Sequence, residues 1–391
     1  MKLNKLFVSA LAALAFVACS KDGETGTEGP ENGNGISVTV ALRTAGSADA
    51  QAASLGTRAV EDNFTTDNKI TLRDIKVFFA DGADGNIVEA KTFSSEEIEA
   101  GSATFHGINP SATHAVVVAN SGQLLAATPA TVAALKATEL DLTSYQTDLA
   151  VVPVMSEVGA LEENSTTEHP DTEGETDVTW CKVSLNVTPV LARIEIGGEL
   201  GITSTTTDGE FVYEHFTSKH VGLNGLYEKC RLDGSAVGTA PVYANSNADG
   251  FPSATTPAWM YDVLDAADRI DLIADADNKI TLGKVYAYNV KPGDKPEITL
   301  QFDSTPISPD LLPEDAPMPA SPKAYVKIIN FTDAAQNTVE IEAGKIYTVK
   351  KILFDQDKVT MLDDKVLCVE VIVEVTPWEI KDIENPEFGG K

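Results

Sequence analysis

Side chains able to do chemistry are plentiful in this chain, but their spacing organises none of them. Five histidines, at 106, 114, 169, 215 and 220, lack the H-E-x-x-H spacing that puts two imidazoles on one helix face for zinc. No G-x-S-x-G elbow presents a serine nucleophile, and no glycine-rich loop leads into a helix as a phosphate site requires. Asp275-Ala276-Asp277-Asn278-Lys279 begins like a calcium loop, yet the glycine and the closing bidentate glutamate are missing, so it reads as a turn. With 59 Asp and Glu, chance carboxylate pairs are certain and carry no information. Cys181, Cys230 and Cys368 are an odd number without close spacing, which gives neither a disulfide framework nor a metal knuckle; each reads as a small buried apolar residue. The expectation is a protein that is not an enzyme and uses no cofactor or metal.

Cys19 differs from the other cysteines. Lys2 and Lys5 precede an apolar region of thirteen residues, 6–18, broken only by Ser9 and leading into Phe16-Val17-Ala18-Cys19. Thirteen residues are too few to span a bilayer as a helix, so 1–18 reads as a signal peptide. Small residues before the cysteine resemble a bacterial lipobox, with Phe16 where leucine is usual, which makes Cys19 the lipidated first residue after cleavage. Residues 20–35 hold five Gly and four Asp or Glu and read as a flexible tether. Their start, Ser20-Lys21-Asp22-Gly23-Glu24, resembles an acidic surface-export signal. A net charge of −30 over 391 residues repels phosphate backbones and anionic lipid headgroups, which excludes nucleic acid as a partner.

The elements that position these groups are strands. Aromatics are 7% of the chain while Val, Thr, Ala and Ile abound between glycine and proline punctuation, the profile of an all-β fold with one or two short helices. Ile36, Val38, Val40 and Leu42 alternate with Ser37, Thr39 and Ala41 in a first strand. At the other end Leu367, Val369, Val371, Val373 and Val375 share one face of a stretch running to Trp378 and Ile380, roughly 45 Å if fully extended. Between them, strands are expected at 71–80, 114–120, 150–155, 182–187, 190–196, 283–290, 296–302, 323–329, 337–341 and 345–354. A helix is expected after Thr128-Pro129, with Val132, Leu135 and Leu140 near one face.

Several of these stretches resemble the fimbrillins, the type V pilin subunits of Bacteroidales. They are the lipobox and Ile36-Ser37-Val38-Thr39-Val40-Ala41-Leu42, Arg58 in the loop behind that strand, Ala115-Val116-Val117-Val118-Ala119-Asn120-Ser121-Gly122, Val190-Leu191-Ala192-Arg193-Ile194, Ala343-Gly344-Lys345-Ile346-Tyr347-Thr348-Val349 and Val373-Glu374-Val375-Thr376-Pro377-Trp378. Pro189 departs from the family where a basic residue is common. Composition changes near Gly197-Gly198, which sets a boundary between 59–198 and 199–391; the resemblance implies that these are two tandem transthyretin-like β-sandwiches, behind a segment 19–58 that is removed on maturation of a lipidated outer-membrane precursor. It further implies an arginine-specific protease cutting between Arg58 and Ala59, with Arg43 as the alternative. Losing the first strand then opens a groove that the terminal strand of another fimbrial subunit fills. The implied role is a fimbrial subunit of the stalk, extracellular once assembled and serving adhesion or biofilm formation toward an unidentified surface ligand. A tip adhesin or anchor is the nearest alternative, and a surface glycan-binding lipoprotein the alternative of another class.

Overall fold

The computed structural model describes residues 35–44, 60–61, 64, 69–146, 152–163, 179–203, 213–238, 261–264, 269–271, 278–306, 323–332, 335, 337–355, 368–372, 374–377 and 379–380. Within them the protein is mainly β. A nine-stranded sheet runs in the order Ile87–Thr92, Ile75–Ala80, His114–Ala119, Val154–Ser156, Trp180–Pro189, Ile36–Thr44, Ser102–Ile108, with Gly159–Ala160 and Glu162–Glu163 attached to His114–Ala119 and Trp180–Pro189. Continuous apolar runs such as Ala115-Val116-Val117-Val118-Ala119, all fully buried, suit a strand covered on both faces.

Two six-stranded sheets follow. One is ordered Val60–Glu61, Val285–Val290, Ala192–Thr203, Lys345–Asp355, Glu374–Pro377, with Lys279–Thr281 beside Ala192–Thr203. The other is ordered Tyr261–Val263, Tyr213–Asn224, Glu297–Pro306, Lys323–Thr332, Cys368–Ile372, with Arg269–Asp271 beside Tyr213–Asn224. Gly197-Gly198, where the composition shifts, lie inside the Ala192–Thr203 strand rather than in a linker. There the register against Lys345–Asp355 slips, and Gly198 takes φ 71° so close to Lys350 that a Cβ would come within 2.2 Å of its carbonyl oxygen. Only glycine fits that bulge.

Two short α-helices occur among the described residues. Val132–Lys136 starts behind the Thr131 cap and buries Val132 and Leu135, while Leu140 belongs to the next strand, Glu139–Asp141. Ser95–Ala100, unanticipated from the sequence, has a full capping box between Ser94 and Glu97; the Ser-x-x-Glu spacing that could have revealed it is present. The strand expected at 337–341 does not form: Thr338 makes one isolated bridge to Thr332. Its alternation is real, but among the described residues it meets Lys323–Thr332 only at that bridge and where the Val339 amide donates to the Phe331 carbonyl at 2.9 Å.

The halves of the chain are knitted by side chains as well as strands. Lys229–Arg231 pairs antiparallel with Glu139–Asp141. Gln146 donates through Nε2 to the Asn289 carbonyl at 2.7 Å and accepts from the Asn289 amide at 2.9 Å, while Asn289 Nδ2 donates to the Tyr145 carbonyl at 2.8 Å. These amides are buried, where hydrogen bonds are strongest and hardest to replace.

Candidate functional site

The first strand, Ile36–Thr44, sits inside the nine-stranded sheet and is bonded on both sides. It runs parallel to Trp180–Pro189 over eight registered pairs, from Ser37 with Trp180 to Thr44 with Val187. On its other flank it runs antiparallel to Ser102–Ile108, pairing Val38 with Phe105, Thr39 with Thr104, Val40 with Ala103 and Ala41 with Ser102. Val38, Val40 and Leu42 are fully buried and Ile36 is half-buried, each fully buried side chain contributing roughly 1.5–3 kcal/mol. On the opposite face the Ser37 hydroxyl lies 3.0 Å from His106 Nδ1, and the Thr39 and Thr104 hydroxyls lie 3.0 Å apart. At the strand's start Gly35 passes so near Gly107 that a Cβ would approach its Cα to 2.6 Å.

Ser102–Ile108 escaped the sequence reading although it is half of this slot. Ala103 and Phe105 alternate correctly, but Gly107 at φ 67° marks an irregularity after which Ile108 faces inward instead. A register slip of one residue erases the period-two signal. Arg43, the alternative cleavage position, is exposed but lies in the ladder, paired with Asn186. Cys19, Arg58 and Ala59 lie outside the described residues. The chain is next described at Val60–Glu61, an edge strand beside Val285–Val290 in a different sheet.

The terminal stretch is not one long strand. Cys368–Ile372 pairs parallel with Lys323–Thr332, matching Val369 to Ile328 and Val371 to Phe331. Glu374–Pro377 pairs antiparallel with Lys345–Asp355, matching Val375 to Tyr347. Glu379–Ile380 then pairs with Lys69–Ile70. The run changes sheet between Ile372 and Glu374, and alternation alone cannot reveal which sheet receives a strand. Leu367, Val373 and Trp378 lie outside the described residues. Cys368–Ile372 and Glu374–Pro377 are edges of their sheets among the described residues, bonded to one neighbour each.

On the outer face beside the slot, Arg43, Gly159, Ala160, Glu162, Lys182 and Ser184 line a cleft of about 370 Å³. Lys182 and Ser184 belong to the strand that flanks the slot, opposite Thr39 and Ala41. Among the described residues no cluster of His, Cys, Asp and Glu could hold a metal, and no helix is long and apolar enough to cross a membrane.

A separate buried cluster lies where the halves meet. The Lys291 ammonium is 3.2 Å from the Asp294 carboxylate, both buried, and 5.2 Å from the Tyr227 ring centre. Burial pushes Asp294 up to about 6 against the Lys291 charge, which pulls it down, and burial pushes the nearby Cys230 thiol up to about 12. A raised carboxyl means that the folded chain holds this proton more tightly than the unfolded chain. Its contribution to stability is therefore complete below the unfolded value of about 3.8 and is lost as pH rises through about 6, a swing on the order of 3 kcal/mol. Urea midpoints of wild type and Asp294→Asn measured from pH 4 to 7 should show wild type losing ground to the variant across that window; parallel curves would refute the assignment.

No family model matches the chain, and no curated protein matches it. Solved structures do. A provisionally named cell adhesion protein from Bacteroides eggerthii is similar at 18% identity and TM-score 0.55, covering 89% of this chain and 98% of its own. Another from Parabacteroides distasonis is similar at 14% identity and TM-score 0.52, covering 88% and 97%. The chain has the fold of these cell adhesion proteins. A fimbrilin from Porphyromonas gingivalis is similar at 12% identity and TM-score 0.49, covering 89% and 98%.

Proposed function

We propose that this protein is a stalk subunit of a cell-surface fimbrium, lipidated at Cys19 as an outer-membrane precursor, cleaved between Arg58 and Ala59, and polymerised by strand donation. The reading rests on an asymmetry. The segment to be removed is an interior strand bonded on both sides, whereas the described terminal strands, Cys368–Ile372 and Glu374–Pro377, are edges bonded on one side. Withdrawing the first strand strips two ladders and uncovers the Val38, Val40 and Leu42 sockets; a strand from another chain restores both. Peeling the two edge strands breaks one ladder apiece, each on a single side. The exchange therefore favours assembly once the first strand is severed from the body.

The ladder supports Arg58 over Arg43 as the position of the cut. Arg43 lies within paired backbone, and a protease needs an open, extended substrate. Arg58 precedes Val60–Glu61, which the other sheet retains, so cutting there separates the first strand from the body and leaves the new N-terminus anchored. The cell adhesion proteins that share the fold support a surface role. Trp180 is only 5% exposed, which removes it from any aromatic platform for glycan binding.

Cys181 offers a test independent of fibre formation. It pairs with Val38 and is 9% exposed, and burial raises its thiol. In a Cys368→Ala version of residues 20–391, maleimide labelling of Cys181 should be slow in the precursor and fast once cleavage releases the first strand. It should be slow again in the polymer, and Cys230, fully buried, should stay silent throughout. Equal rates in all three states would sink the proposal.

A further inference from the structure

Resting on that reading, we infer that Lys182 selects the incoming strand by pairing with Glu370 of the donor subunit, in a register that replaces residues 36–44 with 367–375. The residues that the slot accepts are set by what now fills it. Inward positions are Ile36, Val38, Val40 and Leu42, and buried Ser37 tolerates only a small side chain. Laid in the same direction, the terminal sequence supplies Leu367, Val369, Val371 and Val373 inward, and Cys368, nearly isosteric with serine, at the Ser37 position. Total inward volume changes by about one methylene, a substitution cores accept.

The outward positions fix the register. Thr39 stands opposite Lys182, so Glu370 arrives beside an ammonium on a surface whose net charge is −30. Opposite charges facing across a ladder attract, and in a protein this acidic they also steer the encounter. Ile372 falls at the Ala41 position, between Ser184 and Ser102; Ala41 is only 1% exposed, so the larger side chain has to displace what covers that position. Sliding the donor two residues either way brings Cys368 or Ile372 opposite Lys182 and loses the pair.

Direction is the remaining choice, because Val369-Glu370-Val371-Ile372-Val373-Glu374-Val375 reads the same both ways. Reversed, it would set Glu374 against Lys182, but Pro377 would then occupy the Ile36 position, which pairs with Ile108. Proline cannot donate to a ladder. The forward direction puts Leu367 there, and the donor departs from the first strand's path before the tight Gly35–Gly107 crossing.

The test uses residues 20–391 cleaved with an arginine-specific protease, with fibre growth followed by light scattering and by gel ladders. Lys182→Glu and Glu370→Lys should each slow growth about fivefold, with the defect shrinking in high salt, and the double variant should return to within about twofold of wild type. Lys182→Gln should fall between. Circular dichroism confirms folding of each variant, and labelling of Cys181 confirms that the slot has opened. Rescue of Lys182→Glu by Glu374→Lys instead of Glu370→Lys, or no coupling in any combination, overturns the register. Wild-type protein that opens its slot and never polymerises overturns strand donation itself, and the register falls with it.

Discussion

Arg58→Ala precursor is expected to reach the surface lipidated, to keep Cys19 as its first residue, and to remain monomeric under conditions in which wild type forms a ladder of multimers. The effect is large because the first strand is interior. With Ile36–Thr44 in place, both ladders of the slot are satisfied and Val38, Val40 and Leu42 are fully buried. An intruding strand would have to displace all of this at once while giving up its own pairing, so polymer yield should fall by orders of magnitude. Intact mass and N-terminal sequencing of sheared material measure it: wild type should begin at Ala59. Arg58→Ala protein that still assembles and begins at Thr44 would move the cut to Arg43; assembly with Cys19 retained would remove cleavage from the mechanism.

Glu195→Gln is expected to destabilise the fold by about 3–5 kcal/mol. Arg193 Nε and Glu195 Oε1 meet at 2.6 Å in the Ala192–Thr203 strand, with side chains only 2% and 0% exposed. That strand is paired on both sides, to Val285–Val290 and Lys345–Asp355, so the Arg193 guanidinium stays buried when the Glu195 charge facing it is removed. Urea unfolding of Glu195→Gln measures the loss. The double variant Arg193→Met with Glu195→Leu should recover much of it, since an apolar pair of similar volume leaves no stranded charge. A single variant within about 1 kcal/mol of wild type would show that the pair is solvated or otherwise compensated.

What could be read from the sequence follows from which physical signals are local. The first strand was legible because Ile36, Val38, Val40 and Leu42 alternate without interruption, and His114–Ala119 because its apolar run is continuous. The slot around the first strand was only half legible: Trp180–Pro189 alternates cleanly, but Ser102–Ile108 hides behind the bulge at Gly107. Partnership is not local at all. Nothing in Leu367 to Ile380 says that one piece pairs with Lys323–Thr332 and the next with Lys345–Asp355, so the stretch reads as one strand where the structure has several. Arg193 is visible as a residue type, but its burial beside Glu195 depends on sheets contributed from both sides. The Gln146–Asn289 clasp joins residues 143 positions apart, a distance at which no periodicity speaks.

The parallel alignment of Ile36–Thr44 with Trp180–Pro189 has a mechanical meaning. Ladder bonds run across the strands, so tension applied lengthwise to whatever lies in that slot loads the bonds on both flanks together, in shear. A strand lifted from one end of a sheet edge gives way bond by bond, as a zipper does. The terminal strands at home are held in the second manner, and an occupant of the slot is held in the first. Under the proposed exchange, the stretch of chain held by single ladders in its own sheets would become, once seated in a neighbour, a joint suited to withstanding pull.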